Sequence, residues 1–415
     1  MAPAERSAQQ GPRRVIVVGG GASGLTAAIS AAQAGARVSV LEAAPKVGRS
    51  ILASGNGRCN FANADLSPVH YNDARFVSAV MSDDPLATIL AFFDGLGLWS
   101  CADSEGRLYP RSRAASSVLD VLRARLDDLG VAVHTDTRVC GLEQRAGGKG
   151  HAAGWRIELE RGKAVEADAV IWAAGGGSAG LPCTRLGLPY VEERPALCPL
   201  ATKRGPVKGL DGVRAQCEVS LVAEGSVVAR KSGEVLFRPY GLSGIVIFDL
   251  SRDARPGDTL RLNFMPNVSL DALTAQLEER LARQRRRCAT PEGRLHFLDG
   301  ALHPMLGRRC MENACSERGE REIDARAVAQ QILEFTLKVK GTADEAHGQV
   351  TRGGLATSAF DTLTLQCTIK GAEGLYACGE ALDVDGACGG YNLAWAWCSG
   401  LVAGESAALG DEAEI

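Results

Sequence analysis

Three glycines and a glutamate near the N-terminus have the spacing of a dinucleotide-binding turn. Residues 14–18, with a run of β-branched side chains, predict a buried parallel strand. Gly19 then permits a tight turn, Gly21 lets a pyrophosphate approach the backbone, and Gly24 lets the following helix pack close to the strand. Glu42 ends the next predicted strand, where a carboxylate accepts hydrogen bonds from ribose hydroxyls. The spacing predicts a nucleotide site, and a turn that is glycine-rich for steric reasons alone is the alternative.

A second group of glycines and an acid lies near the C-terminus. Residues 375–378 predict a short strand, and Glu380 follows at its carboxyl end, in reach of a ribityl or ribose hydroxyl. Gly389 and Gly390 open a helix from 391 to about 409, whose N-terminus would stabilise negative charge on a reduced flavin. The alternative is a buried glycine- and alanine-rich helix with no ligand. Together the two groups predict one FAD-binding domain built from both ends of the chain.

A third glycine cluster bears on the electron donor. The hydrophobic strand predicted before Gly175 and Gly176 would bring their turn close to a cofactor, although the glycines could serve the turn alone. This cluster lacks the spacing and the later acid of a second dinucleotide fingerprint. We therefore expect NADH or NADPH to act as a transient donor that docks, reacts and leaves, which gives ping-pong kinetics.

Periodicity divides the 415 residues into several regions. The fold class is predicted as α/β, with a discontinuous Rossmann-like FAD-binding domain, an inserted β domain and a helical subdomain. Period-two alternation indicates the β domain, and a helical stripe of leucines indicates the subdomain. We predict a disordered tail at 1–13, the FAD-binding domain at 14–194 and 346–415, the β domain at 195–268 and the helical subdomain at 269–345. The inserted region, about 195–345, is assigned to substrate recognition.

Composition narrows the classes of partner and compartment. The net charge of -3 gives no reason to expect nucleic acid or an anionic membrane, and no apolar run approaches the roughly 20 residues of a bilayer span. Thirteen scattered cysteines indicate a reducing, cytoplasmic location and no metal site. Arg283 and the run 285–287 are interpreted as a solvated helix face, with a ligand site as the alternative.

Several longer motifs resemble a known family. They are Val-Gly-Gly-Gly-Ala-Ser-Gly-Leu at 18–25, Ser-Gly-Asn-Gly-Arg-Cys-Asn-Phe at 54–61, Gly-Arg-Leu-Tyr-Pro-Arg-Ser at 106–112, Gly-Glu-Val-Leu-Phe at 233–237, Gly-Leu-Ser-Gly at 241–244, Thr-Arg-Gly-Gly at 351–354 and Gly-Gly-Tyr-Asn at 389–392. The chain resembles the bacterial BaiN-like and aminoacetone-oxidase-type FAD-binding flavoproteins along nearly its whole length. The resemblance implies FAD as the cofactor and the discontinuous domain arrangement given above.

Motifs and resemblance together give a set of predicted FAD contacts. They are Gly19, Gly21, Ala22, Ser23, Gly24, Glu42, Arg49, Ser54, Gly55, Asn56, Val139, Ala174, Gly175, Gly176, Gly379, Glu380, Gly390, Tyr391 and Asn392. Two residues are catalytic candidates. Arg58 would bind a substrate oxyanion, or else make a structural or phosphate contact, and Tyr391 would donate a proton, or else only pack. Residues 46–63 are too rich in glycine and asparagine for a helix and predict an ordered loop.

These features predict an FAD-dependent oxidoreductase that acts on a small or medium organic substrate. The first choice is reduction of a conjugated carbon–carbon double bond, as in an enone or a bile-acid-like compound. The second is oxidation of an amine of the aminoacetone type with oxygen. A flavin-containing RNA-modifying or regulatory protein is an alternative of another class; the basic run at 283–287 supports it, and the acidic net charge speaks against it.

Overall fold

A computed structural model describes residues 11–145, 154–178, 180–316, 323–343 and 348–410. Most of the predicted tail, residues 1–10, lies outside this part of the chain. Two compact units are present, one formed by Met1–Arg194 together with Val350–Ile415 and the other by Pro195–Gln349. The first unit is thus assembled from both ends of the chain.

The strands alternate with helices in the first unit and dominate the start of the second. In chain order the strands are β1 Arg14–Val18, β2 Arg37–Leu41, β3 Ala62–Asn63, β4 Ser100–Ala102, β5 Arg107–Pro110, β6 Ala132–His134, β7 Val139–Arg145, β8 Gly154–Leu159, β9 Val165–Ala167, β10 Ala169–Trp172, β11 Tyr190–Ala196, β12 Leu200–Thr202, β13 Arg214–Ala223, β14 Ser226–Arg238, β15 Gly241–Ser243, β16 Thr259–Asn263, β17 Phe335–Thr342, β18 Val350–Leu355 and β19 Leu375–Ala377.

The α-helices have very different lengths. In chain order they are α1 Ala22–Gln33, α2 Arg49–Ala53, α3 Ala74–Val80, α4 Pro85–Gly95, α5 Ala115–Asp128, α6 Gly180–Leu186, α7 Arg204–Val207, α8 Ile245–Ser251, α9 Leu270–Arg283, α10 Pro291–Leu295, α11 Pro304–Ser316, α12 Ala325–Leu333 and α13 Tyr391–Leu409. Within the described ranges no single helix is long and apolar enough to cross a membrane; α3 and α4, bent by 50° at their junction, reach that length and composition only as a pair.

A five-stranded parallel sheet forms the centre of the first unit, in the order β19-β10-β1-β2-β6. Val15 of β1 pairs with Ala169 on one side and with Val38 on the other. Both faces are covered, which is why β1 and β10 are apolar at consecutive positions. Because β19 joins the sheet beside β10, the predicted discontinuous Rossmann-like domain is present.

Small residues let α1 and α13 pack in close contact. A Cβ atom at Gly400 would lie 2.7 Å from the carbonyl oxygen of Ser23, and one at Gly404 would lie 2.4 Å from that of Ala27. Ser30 Oγ donates a hydrogen bond of 2.7 Å to the carbonyl oxygen of Leu401. The N-terminal and C-terminal segments are therefore joined through backbone that only glycine allows to approach so closely.

The second unit contains a closed barrel of strands in the order β12-β15-β14-β13-β16-β17. Its last strand, β17, lies in the stretch 269–345 for which helices were expected, and that expectation was wrong there. The reason is visible in the burial pattern, since Phe335, Leu337 and Val339 are buried and alternate with exposed residues. The two predicted subdomains share one hydrophobic core, in which Phe335 contacts Phe237 and Phe264.

The contact between α1 and α13 generates a stability prediction. Gly404→Ala should destabilise the protein by about 1–3 kcal/mol, because the new methyl group must displace the backbone of α1. Gly95→Ala is the matched control, since its Cβ meets open space in α4 and should be neutral or stabilising by about 0.4–1 kcal/mol. Thermal unfolding followed by circular dichroism measures both, and equal midpoints for the two variants would contradict the close contact.

Candidate cofactor and substrate site

The first glycine turn combines two closely packed glycines with one open position. A Cβ atom at Gly19, where φ is +110°, would lie 2.3 Å from the carbonyl oxygen of Ala173, and one at Gly24 would lie 2.0 Å from that of Gly19. At Gly21 the nearest atom is Ser50 Oγ, at 3.6 Å. Gly19 and Gly24 are thus required by the protein's own packing, whereas Gly21 leaves open the space that a pyrophosphate would occupy.

The start of α1 offers hydrogen-bond donors beside that space. Gly21 precedes the helix without a side-chain cap, and the helical hydrogen bonds begin with the N–H of Leu25 to the carbonyl oxygen of Gly21. The N–H groups of Ala22, Ser23 and Gly24 lie in the first turn of the helix, where N–H groups have no hydrogen-bond partners within the helix. These donors and the helix dipole fit a phosphate group.

Glu42 lies beside the same turn at the end of β2. Its two carboxylate oxygens accept hydrogen bonds from the N–H groups of Gly20, at 2.7 Å, and Ala44, at 2.6 Å. Both bonds orient the carboxylate, and each oxygen retains a second lone pair. The arrangement is compatible with a ribose diol as the ligand, which stays a prediction from the sequence. Val139 begins β7 close by, since the N–H of Thr137 donates to the carbonyl oxygen of Glu42 at 2.8 Å.

The carboxyl ends of β10 and β19 bring the other predicted residues together. A Cβ atom at Gly176 would lie 2.4 Å from Glu380 Oε1 and 2.1 Å from Thr351 Oγ1. The N–H of Thr351 donates to Glu380 Oε1 at 2.7 Å, while burial raises the pKa of the Glu380 carboxyl above its usual value. Gly379 is in contact with the start of α1, because its Cβ would lie 2.3 Å from Ser23 Oγ. The glycine turn after β10 and the acid after β19 therefore meet at one sheet edge.

Residues 49–57 differ from the loop that the sequence predicted. Arg49 begins the short helix α2, and a 3₁₀ turn follows at Ser54–Gly57. Helix α2 forms despite the flanking glycines because its own residues, Arg-Ser-Ile-Leu-Ala, include no glycine or asparagine. Ser54 Oγ donates to the carbonyl oxygen of Ile51 at 2.6 Å, which closes the end of α2.

The segment after α2 presents Arg58 from a left-handed backbone. Gly55, Asn56 and Cys59 have φ values of 57°, 54° and 54°. Arg58 is exposed, whereas Cys59 is fully buried, and burial raises the pKa of its thiol to about 11. The Cys59 thiol is therefore protonated at neutral pH and is a poor nucleophile, while the guanidinium of Arg58 is available to a ligand.

The start of α13 lies against this segment. A Cβ atom at Gly390, where φ is +102°, would lie 2.4 Å from the carbonyl oxygen of Ala62. With its amide oriented to match its neighbours, Asn60 accepts from the N–H of Gly390 and donates to the carbonyl oxygen of Ala62. Asn392 uses its side chain to bind the N–H and the carbonyl oxygen of Gly386, at 2.7 and 2.9 Å, so its amide stabilises the preceding loop.

Tyr391 has a neighbour that the sequence did not reveal. Its buried ring lies 4.3 Å from the ring of His70, and its carbonyl oxygen accepts a hydrogen bond of 2.9 Å from the hydroxyl of Tyr71. His70 Nε2 lies 3.0 Å from Asp65 Oδ2. Sequence reasoning found no partner for any histidine, because the spacing from 65 to 70 matches neither helix nor strand and Tyr391 is distant in the chain.

The sheet, the glycine turn and Glu42 define a Rossmann-type FAD-binding protein. The chain belongs to the family described as HI0933-like protein Rossmann domain, whose pattern matches residues 13–406. It is 33% identical over 421 aligned residues to the 3-dehydro-bile acid delta(4,6)-reductase of Clostridium scindens, with 95% of this chain and 99% of the relative covered. The predicted family, the α/β fold with its FAD-binding domain and the assignment as an FAD-dependent oxidoreductase are confirmed.

The chain is also similar to two further relatives and to one solved structure. The ribosomal RNA dihydrouridine synthases of Escherichia coli and Haemophilus influenzae are 26% and 25% identical, each over 92% of this chain and over 95% and 96% of their own lengths. A solved 3-ketosteroid-delta4-(5alpha)-dehydrogenase from Rhodococcus jostii is similar with a TM-score of 0.46 and 17% identity, over 97% of this chain and 98% of its own.

The open side of Gly21 generates a prediction for cofactor retention. Gly21→Val should fold, because a Cβ at this position makes only an ordinary contact with Ser50 Oγ, at 3.6 Å. The side chain should nevertheless occupy the pyrophosphate position and remove charge-assisted hydrogen bonds. Each such bond is worth about 1.5–3 kcal/mol, or roughly 10- to 100-fold in FAD affinity. Gly95→Val on α4 is the control, and fluorescence titration of the apoproteins with FAD is the measurement. Equal affinities would show that this turn does not hold the phosphates.

Proposed function

We propose that this protein uses FAD to reduce a carbon–carbon double bond that is conjugated to a carbonyl group. The substrate is a small or medium organic molecule of the enone class, similar to a 3-oxo steroid or bile acid. The observation that carries the proposal is the 33% identity to the bile acid reductase, which extends over 95% of this chain and therefore includes both compact units.

The residues of the site support this chemistry. When bound and reduced by the electron donor, FAD would supply a hydride to the carbon atom of the double bond that is remote from the carbonyl. Negative charge then develops on the carbonyl oxygen, and a fixed cation beside that oxygen stabilises it. Arg58 is exposed on a segment whose left-handed backbone and contacts with Gly390 hold it in place. We assign Arg58 to this oxygen.

The second half of the reduction needs a proton at the carbon next to the carbonyl. Tyr391 is assigned as its donor, in accordance with the sequence prediction. The ring of His70 lies 4.3 Å from that of Tyr391 at an angle of 30°, and His70 Nε2 is within hydrogen-bond distance of Asp65. Both neighbours keep the Tyr391 ring in one orientation, which a positioned general acid requires.

NADH or NADPH is proposed as a transient electron donor. Within the described residues, the one large parallel sheet carries the FAD motif, and the second unit is built on a barrel. A donor without its own dinucleotide fold must dock at the open site and leave before the substrate enters. This order of events supports the expected ping-pong kinetics.

A second candidate substrate is uracil in RNA. Two relatives that match 92% of this chain are ribosomal RNA dihydrouridine synthases. Uracil also has a carbon–carbon double bond conjugated to a carbonyl, and its saturation requires the same hydride and proton. The chemistry at the flavin would be identical, and the two candidates differ in how the rest of the protein recognises the substrate.

The first candidate predicts a specific role for Arg58. With NADH or NADPH as donor, the protein should reduce steroid enones, and Arg58→Ala should lower kcat/KM about 100-fold through loss of the oxygen contact. Arg37→Ala, an exposed arginine at the start of β2, is the control and should leave the rate unchanged. Stopped-flow spectroscopy is the measurement. Fast reduction by an amine, fast reoxidation by oxygen and no response to nicotinamides would favour the amine oxidase instead.

The second candidate predicts a change in RNA mass. Ribosomal RNA from cells that lack this protein, incubated with the protein and a nicotinamide donor, should gain two hydrogen atoms in a uridine. Mass spectrometry of nucleosides detects the dihydrouridine. RNA that stays unchanged under conditions in which an enone is reduced would exclude this substrate.

A further inference from the structure

One stretch of the second unit is strongly basic although the chain as a whole is acidic. Residues 280–309 contain eight arginines, out of 46 Lys and Arg in the chain, but only two of the 49 Asp and Glu. They run from the end of α9 through α10 to the start of α11. We define the arginine surface by the residues Arg280, Arg283, Arg285, Arg286, Arg287, Arg294 and Arg308.

Asp299 gathers several of these cations around one carboxylate. Arg287 Nη2 and His296 Nδ1 each lie 2.9 Å from Asp299 Oδ2, and Arg280 donates to the carbonyl oxygen of Asp299. Arg308 Nη2 lies 3.2 Å from His296 Nε2. Residues from α9, α11 and the segments between them therefore converge. One carboxylate cannot neutralise three guanidinium groups, so the surface keeps a positive charge.

Two arginines of this surface have side chains that are exposed and bind no other group in the described part of the chain. Arg285 and Arg286 are exposed, and neither forms an ion pair or a side-chain hydrogen bond with the described part of the chain. By contrast, Arg283 pairs with Glu279 and Arg287 with Asp299. The sequence predicted that this run forms a solvated helix face, but α9 ends at Arg283, so the arginines at 285–287 follow the helix and do not lie on it. The structure joins the run to Arg308, more than twenty positions further along the chain, through Asp299 and His296.

We propose that the arginine surface binds the phosphate backbone of RNA, an inference that rests on the second candidate function. Guanidinium groups bind phosphate oxygens through paired hydrogen bonds, and several at one surface bind a polyanion by displacing its counterions. The remainder of the chain carries a net negative charge, which does not favour RNA binding. Attachment to a membrane would also require apolar side chains that insert into it. On this stretch the exposed large apolar side chains are two, Leu295 and Met305, and they are only 38% and 42% exposed. We therefore favour RNA over a membrane.

The test is RNA binding by a charge-reversed variant of the FAD-loaded protein. The probe is a fluorescein-labelled oligouridylate, and fluorescence anisotropy is recorded over a series of salt concentrations. Arg285→Glu combined with Arg286→Glu should weaken binding on the order of tenfold or more and reduce the slope of log affinity against log salt by about 0.7 for each lost contact. Arg161→Glu with Lys163→Glu, on the exposed turn between β8 and β9, is the matched control with the same charge change.

Several outcomes overturn the proposal. These are RNA binding that does not depend on salt, an RNA affinity of the Arg285 and Arg286 variant equal to that of the parent, or an equal loss of RNA affinity in the control variant. Binding of phosphatidylglycerol vesicles that depends on Arg285 and Arg286, without RNA binding, would assign the surface to a membrane instead. The visible spectrum and the enone reduction rate of the variant should match those of the parent. If the unmodified protein does not reduce enones, the first candidate function is wrong, and the proposed RNA binding by the arginine surface is unaffected.

Discussion

The close backbone contact between α1 and α13 is the constraint on which the cofactor site depends. Gly400 and Gly404 bring the two helices together, and each helix begins at the site. The N-terminus of α1 follows Gly21, and that of α13 follows Gly390. The residue before Glu380 is bound into the same contact, because the N–H of Gly379 donates to Ser399 Oγ at 2.9 Å and its carbonyl oxygen accepts from Trp395 Nε1 at 3.0 Å. A wider separation of the helices would move the two halves of the site apart.

The site combines rigid and open positions in a way that suits a bound cofactor. Gly19, Gly24 and Gly176 are packed so tightly that a side chain would collide with the protein itself, whereas a Cβ at Gly21 would meet only Ser50 Oγ, at an ordinary contact distance. Glu42 is held by two backbone donors before any ligand arrives. A preorganised carboxylate loses little entropy when it binds a ribose, so more of the interaction contributes to affinity.

The two candidate substrates make different demands on the same reactive centre. A steroid enone and a uracil base both present a double bond conjugated to a carbonyl, so one cation and one proton donor serve either of them. A free steroid needs an apolar enclosure, whereas a nucleotide within RNA needs contacts to phosphates outside the reactive centre. The RNA-binding role proposed for the arginine surface would supply contacts of the second kind, in a chain whose net charge of -3 does not suggest them.

The sequence alone determined the features that depend on neighbours along the chain. The spacing of Gly19, Gly21 and Gly24, with Glu42 at the end of the next strand, predicted the nucleotide turn because a strand, a turn and a helix are local structures. Tertiary structure decided what depends on distant residues. The ring of His70 meets Tyr391, strand β17 closes a barrel, and Arg308 reaches His296, because packing brings together segments whose separation in sequence carries no periodic signal. The short helix α2 was not predicted for a different reason. Its five residues are too few to show a helical pattern, and glycines lie on both sides of it.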